Sequence, residues 1–135
     1  MIHAHVHSYV ITEIRYNIAM TEIEKVIKGG HLIAEKIRSA NNMHDFDTLV
    51  EDEISKYGNF VDENFGVIEP DDLFGEKSCE LMTFLFVAVD WKRKTLQEEN
   101  SDNVEVEKEF KGYLEDFENF LDSKKWVKGS FGVAR

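Results

Sequence analysis

Residues 78–99 read SCELMTFLFVAVDWKRKTLQEE. They contain the longest apolar run in the chain, Leu81 to Val89, interrupted only by Thr83. A run of this length is expected to be buried, with the other segments covering it. Phe84, Phe86, Val87 and Val89 would suit a strand as well as a helix, and periodicity does not separate the two in a short, fully apolar run. The flanks decide. Ser78 is an N-cap residue type, and Glu80 suits the positive end of a helix dipole. Beyond Asp90 the chain continues through Trp91-Lys-Arg-Lys-Thr-Leu-Gln-Glu-Glu with good helix formers and neither Gly nor Pro. The stretch is therefore expected to be a central helix, roughly 33 Å long at about 1.5 Å per residue. Its ends are too polar for a membrane span, which needs about 20 apolar residues.

The helix most clearly marked by its pattern comes last. Val106, Phe110, Tyr113, Leu114, Phe117, Phe120 and Leu121 recur at steps of three and four, and Ser101 or Asp102 is placed to start it. Glu105, Glu107, Glu109, Glu115, Glu118 and Asp122 fill its other face, and Lys124 and Lys125 suit its C-terminal end. Upstream, Thr21 with Glu24 forms a capping-box pattern ahead of a stripe of Ile23, Val26, Ile27, Ile33 and Ile37. Gly29-Gly30 interrupts that stripe. Two interior glycines cost about 2 kcal/mol against alanine, so a break or kink is expected there, the other reading being a close helix approach. Asp45 is expected to cap a helix that Gly58 ends, with Phe46, Leu49, Val50, Ile54 and Tyr57 inward. Residues 59–77 read as irregular or as short helical turns, and Glu69-Pro70-Asp71-Asp72 as a turn that opens a helix.

Residues 2–18 are ambiguous. His3, His5, His7, Tyr9 and Ile11 alternate as in a strand, while Ile2, Val6, Val10, Ile14 and Ile18 recur at helical spacing. A strand there would need a partner, and Trp126-Val127 with Phe131 to Val133 is the strand-like piece available. The expected fold class is mainly α: a single domain over residues 1–135, built as a bundle of four to five helices. A short N-terminal strand is kept as an alternative, and residues 1–8 and 129–135 are read as loose ends. Ten Phe, four Tyr and two Trp supply the bulk of the core, at about 1.5–3 kcal/mol for each fully buried Phe-sized group.

The charge is lopsided. The net charge is −11, and residues 45–80 carry twelve acids against two bases. Such a surface repels nucleic acid phosphates and anionic membranes, so neither is expected as a direct partner. A single cysteine, Cys79, excludes an internal disulfide. Beside the apolar run it reads as an inert core thiol. With an N-terminus that lacks the pattern of a signal peptide, the expected location is cytoplasmic.

Motifs for chemistry are sparse. His3, His5 and His7 share one side of a strand, or His3 and His7 one face of a helix, and either arrangement could hold Zn, Ni or Cu. His-Val-His-Ser at residues 5–8 also resembles the opening His-x-His strand of the PHP phosphoesterase family. That resemblance implies a metal-dependent enzyme with many further His, Asp and Glu ligands on a longer barrel, and His31 and His44 are the other histidines here. The plainer reading is a polar terminus, and no cofactor is expected. Asp45-Phe-Asp47 starts like an EF-hand loop, but Leu49, Val50 and Lys56 stand where ligands or glycine are required. Lys92-Arg93-Lys94 could grip a phosphate, or could be a solvated run paired with Asp90 and Glu98.

The acidic block is the strongest functional feature. Asp45, Asp47, Glu51, Asp52, Glu53, Asp62, Glu63, Asp71 and Asp72 are interleaved with Phe46, Tyr57, Phe60, Phe65 and Phe74. Interfaces use aromatic anchors within a polar rim. The expectation is a non-enzymatic protein that docks and blocks a basic partner, such as a nuclease or another nucleic-acid-binding protein. Immunity proteins against nuclease toxins, and phage-type DNA mimics, are similar in size and acidity, which is a likeness of composition alone. The alternatives are a small metal-dependent enzyme using the N-terminal histidines, and a helical structural homo-oligomer joined through the last helix.

Overall fold

The two glycines of the first helix do not break it. In the computed structural model α1 runs unbroken over Val10–Ser39, and Gly29 and Gly30 are the place where two other helices press against it. An added Cβ at Gly30 would stand 2.6 Å from the Tyr57 hydroxyl and 2.5 Å from Cδ2 of Leu121. The Tyr57 hydroxyl donates to the Val26 carbonyl at 2.8 Å. Tertiary contact thus offsets the propensity cost that made a kink the expectation. The structure describes the backbone of residues 10–65, 73–100 and 102–127, and the side chains of 21–65, 80–100 and 102–127.

After a short link, α2 spans Met43–Leu49, a π turn spans Val50–Ile54, and α3 spans Ser55–Phe65. The three form one continuous rod. Asn42, not Asp45, is the N-cap: its side-chain oxygen accepts from the Asp45 N–H at 2.8 Å, and its amide donates to the Asp45 carboxylate at 2.9 Å. Gly58 does not end the rod, which continues through part of the stretch expected to be irregular. The π turn has a visible purpose. Buried Leu49 and Ile54 are five residues apart, and an i to i+5 bond from the Ser55 N–H to the Val50 carbonyl winds that interval into one turn. Phe46, Leu49, Ile54, Tyr57 and Val61 then all face the core.

The central helix is present as α4, Leu73–Leu96, so Ser78 lies inside it and not at its start. A 3-10 turn at Glu98–Asn100 follows. The last helix, α5, spans Val104–Ser123 and is capped by Asn103, whose side chain accepts from Glu105 and Val106 N–H groups, rather than by Ser101 or Asp102. Lys124 takes the left-handed conformation that closes it. Beyond that turn Trp126 folds back, fully buried, and its indole N–H donates to the Leu121 carbonyl at 2.8 Å. Trp126 is a plug at the end of the bundle and belongs to no strand. Among the described residues there is no strand: of the ambiguous segment 2–18, residues 10–18 are helical in α1, and residues 1–9 and 128–135 lie outside the described residues.

The rods form a ring in which α1 packs on α3 and α5, and α4 closes the far side. Each neighbour runs antiparallel, as paired contacts show: Lys36–Glu53 with Val26–Tyr57, Asp47–Arg93 with Gly58–Met82, Phe84–Phe120 with Trp91–Tyr113, and Gly30–Leu121 with Arg38–Glu118. This is an up-down-up-down four-helix bundle. Its core takes Val26, Ile33 and Ile37 from α1, Leu81, Leu85 and Ala88 from α4, and Phe110, Leu114, Phe117 and Leu121 from α5. No helix among the described residues is long and apolar enough to cross a membrane.

Two glycines give opposite predictions. Gly30→Ala should destabilise the fold, since overpacking costs about 1–3 kcal/mol against a propensity gain of about 1 kcal/mol. Gly112→Ala, in α5 with nothing within 4 Å of the new methyl, should stabilise by roughly 0.5–1 kcal/mol. Urea unfolding of both variants measures the pair.

Candidate partner-binding surface

The acidic block resolves into residues that hold the fold and residues that do not. Asp47 pairs with Arg93 of α4. Glu53 receives Lys36 of α1 at 2.6 Å. Asp45 belongs to the α2 cap. Glu51, Asp52, Asp62 and Glu63 are exposed and form no ion pair among the described residues. Asp71 and Asp72 lie outside the described residues, as do His3, His5 and His7.

The basic triplet is solvated only in part: Lys92 is buried, Arg93 half-buried and Lys94 exposed, and no pairing with Asp90 or Glu98 is present among the described residues. Each of its cations lies over a different aromatic ring: Lys92 over Phe110 at 4.9 Å, Arg93 over Phe46 at 5.4 Å, and Lys94 over Trp91 at 3.9 Å. Lys92 is only 5% exposed. Its ammonium points toward the Arg38 carbonyl at 3.4 Å, among the last carbonyls of α1, where a cation complements the helix dipole. Burial lowers its pKa, and the nearby Glu107 charge partly opposes that. A helix-end anchor is what this lysine supplies.

The apolar run of α4 is not wholly buried. Phe86 is 51% exposed. At about 100° per residue, Leu81, Leu85, Ala88 and Lys92 take the inner line, so Thr83 and Asp90 mark the outer one, and Phe86 and Val87 straddle it. Thr83 and Asp90 were the sequence marks of this outer line. Phe86 forms one lip of a hollow of about 420 Å³ between α3 and α4. Gly58 lines it opposite Met82, and a Cβ there would stand 3.1 Å from the Met82 methyl. Ile54 and Val61 add apolar wall, while Ser55, Asn59 and Asp62 supply polar groups. A smaller hollow of about 220 Å³ lies between α4 and α5, beside Phe84, Val87 and Tyr113, with Glu80 and Asp116 on its wall. No Lys or Arg among the described residues lines either hollow.

The opposite seam of the bundle carries a different polar cluster. His31 of α1 lies between two carboxylates of α5, with Nδ1 2.8 Å from Glu118 and Nε2 2.7 Å from Asp122. Both ring nitrogens must donate to make both bonds, so the arrangement requires the imidazolium. Burial alone would lower the His31 pKa, but hydrogen bonds with Asp122 and Glu118 and their charges outweigh it, and the net shift is upward. Burial acts to raise the Glu118 pKa, but hydrogen bonds and charges from Arg38 and His31 outweigh it, and the net shift is downward. Among the described residues no group of three or more His, Cys, Asp or Glu could hold a metal ion. Of the aromatic stripe of α5, Phe110 and Phe117 are core, while half-buried Phe120 and Tyr113 pack on Phe84 and Trp91.

Compared with known protein families, curated proteins and solved structures, the chain matches none.

The His31 cluster gives a pH prediction. A raised His pKa contributes stability below the ordinary value of 6.5 that is lost as pH rises through the folded value. A lowered Glu pKa contributes stability above its ordinary 4.5 that is lost as pH falls through the folded value. The cluster should therefore stabilise most between these two pH values. Solvent screening at this partly exposed site limits the effect to about 1 kcal/mol. Urea unfolding should show wild type ahead of His31→Gln at about pH 5.5, with the advantage shrinking by about pH 8.5. A difference independent of pH would contradict this account.

Proposed function

We infer that this is a non-enzymatic binding protein that docks onto a basic surface of a partner protein and blocks it. The observation that carries the reading is the flank formed by the π turn and α3. Glu51, Asp52, Asp62 and Glu63 lie along one rod, exposed and without ion-pair partners among the described residues, beside an open hollow that no cation lines. Charges that already serve the fold have little to offer a partner; these four do. Their repulsion is a standing cost that a basic partner relieves. A basic surface of that kind belongs to nucleases and other nucleic-acid-binding proteins, so an inhibitor resembling an immunity protein or a DNA mimic is the specific form proposed. A cytoplasmic site of action goes with it.

Charge complementarity of this sort accelerates association more than it tightens the final contacts. The association rate should fall steeply as salt rises, because the Debye length drops from about 30 Å at 0.01 M to about 10 Å at 0.1 M. The variant that tests this carries Glu51→Gln, Asp52→Asn, Asp62→Asn and Glu63→Gln. It leaves Asp45, Asp47 and Glu53 in place, because those three hold the cap and the ties to α4 and α1. In a pull-down from host lysate, wild type should retain a basic partner that the variant releases. If both hold the same partner equally, or neither holds any, the acidic flank is a solvated face and the reading fails.

A further inference from the structure

We propose that the hollow between α3 and α4 is the seat of an amphipathic, basic α-helix of the partner, with Phe86 as its apolar anchor. The inference rests on the docking reading above and names the part of the surface that supplies grip rather than steering.

The seat has the right form. Two antiparallel helices leave a furrow that a third helix can fill by packing its ridges into their groove. At Gly58 the wall carries no side chain of its own, and the flexible Met82 side chain lies across it, its methyl 3.1 Å from where a Cβ would stand, so the floor of the furrow is a movable thioether over the α3 backbone. Met82 and Phe86 offer a methyl and a ring on the opposite side. A methionine there is an adaptable surface for an aliphatic knob.

The chemistry of the rim selects the occupant. Asp62 is on the wall, Glu51 stands about one turn before Ser55 on the same rod, and exposed Asp90 stands about one turn beyond Phe86 on α4. Lys56, the one base in this part of the rod, does not line the hollow. An apolar centre edged by carboxylates complements an apolar stripe edged by Lys and Arg. A second copy of the chain is disfavoured as occupant, since two surfaces of net charge −11 chains repel.

The test uses three labelled peptides: a Leu/Lys peptide with Leu at i, i+3, i+4 and i+7, its scrambled isomer of the same composition, and an oligolysine of the same charge. Binding is read by fluorescence anisotropy and mapped by amide chemical shifts. The amphipathic peptide should bind about tenfold more tightly than its isomer, with shifts centred on Gly58, Asp62, Thr83 and Phe86. Phe86→Ala should remove most of that preference, as expected for truncating an anchor, while Phe86→Leu keeps most of it. Circular dichroism checks that both variants stay folded.

Equal binding of the amphipathic peptide to wild type and Phe86→Ala, or shifts that map elsewhere, would overturn the proposal. So would the absence of binding up to about 1 mM. If all three peptides bind alike and the four-fold amide variant weakens them all, the acidic flank steers cations but the hollow holds no anchor. The proposal then falls while the docking reading stands. Concentration-dependent self-association that Phe86→Ala abolishes would make the occupant a second copy, and would also overturn it.

Discussion

The crossing at Gly30 sets the register of three helices at once. Tyr57 from α3 and Leu121 from α5 both enter the space that a side chain on α1 would take. The Tyr57 hydroxyl, shielded from water, donates to the Val26 carbonyl, and burial pushes its pKa further above the ordinary value, so it remains a donor. A buried hydroxyl without a partner would cost about 1–3 kcal/mol. The bond therefore fixes the rotation of α3 as well as its distance. That rotation decides that Tyr57 and Val61 go inward while Gly58, Asn59 and Asp62 border the groove. The binding surface proposed here is in this sense a consequence of a packing contact on the opposite side of the same rod.

The π turn acts on the same outcome from the other end. Without it the interval from Leu49 to Ile54 would turn one half of the inward face away from the core. With it, Glu51, Asp52 and Glu53 occupy the wide turn and all three are exposed. Glu53 reaches Lys36, and Glu51 and Asp52 do not find a cation among the described residues. Elsewhere several cations are engaged within the fold, while Lys56 on this rod stays exposed. Lys92, Arg93 and Lys94 lie over Phe110, Phe46 and Trp91, and Arg38 is held by Glu118 and Glu35. Because those cations stay on their own rings and partners, they do little to neutralise the α3 flank. The imbalance visible as charge per stretch of sequence becomes a physical asymmetry of the folded surface.

Amphipathic periodicity was enough to determine the helical class, the stripe of α5 and most of the core. Burial of bulky groups at three- and four-residue spacing has no other economical solution, and Phe110, Leu114, Phe117 and Leu121 are fully buried as that pattern demands. The acidic excess of residues 45–80 was likewise a property of sequence alone. Tertiary structure decided what local propensity judged wrongly. Gly29-Gly30 reads as a break because propensity counts only the helix that contains it, whereas two neighbouring helices need the missing side chains. Gly58 reads as a stop for the same reason. The apolar run of α4 reads as wholly buried because a run has no direction until a helix gives it one, and turning at about 100° per residue carries Phe86 out of the core. Which acids are free, which cations are absorbed by rings, and where the groove lies depend on pairings between residues dozens of positions apart, such as Asp47 with Arg93 and Gly58 with Met82. Those pairings are set by the packing of rods, and no local pattern in the chain encodes them.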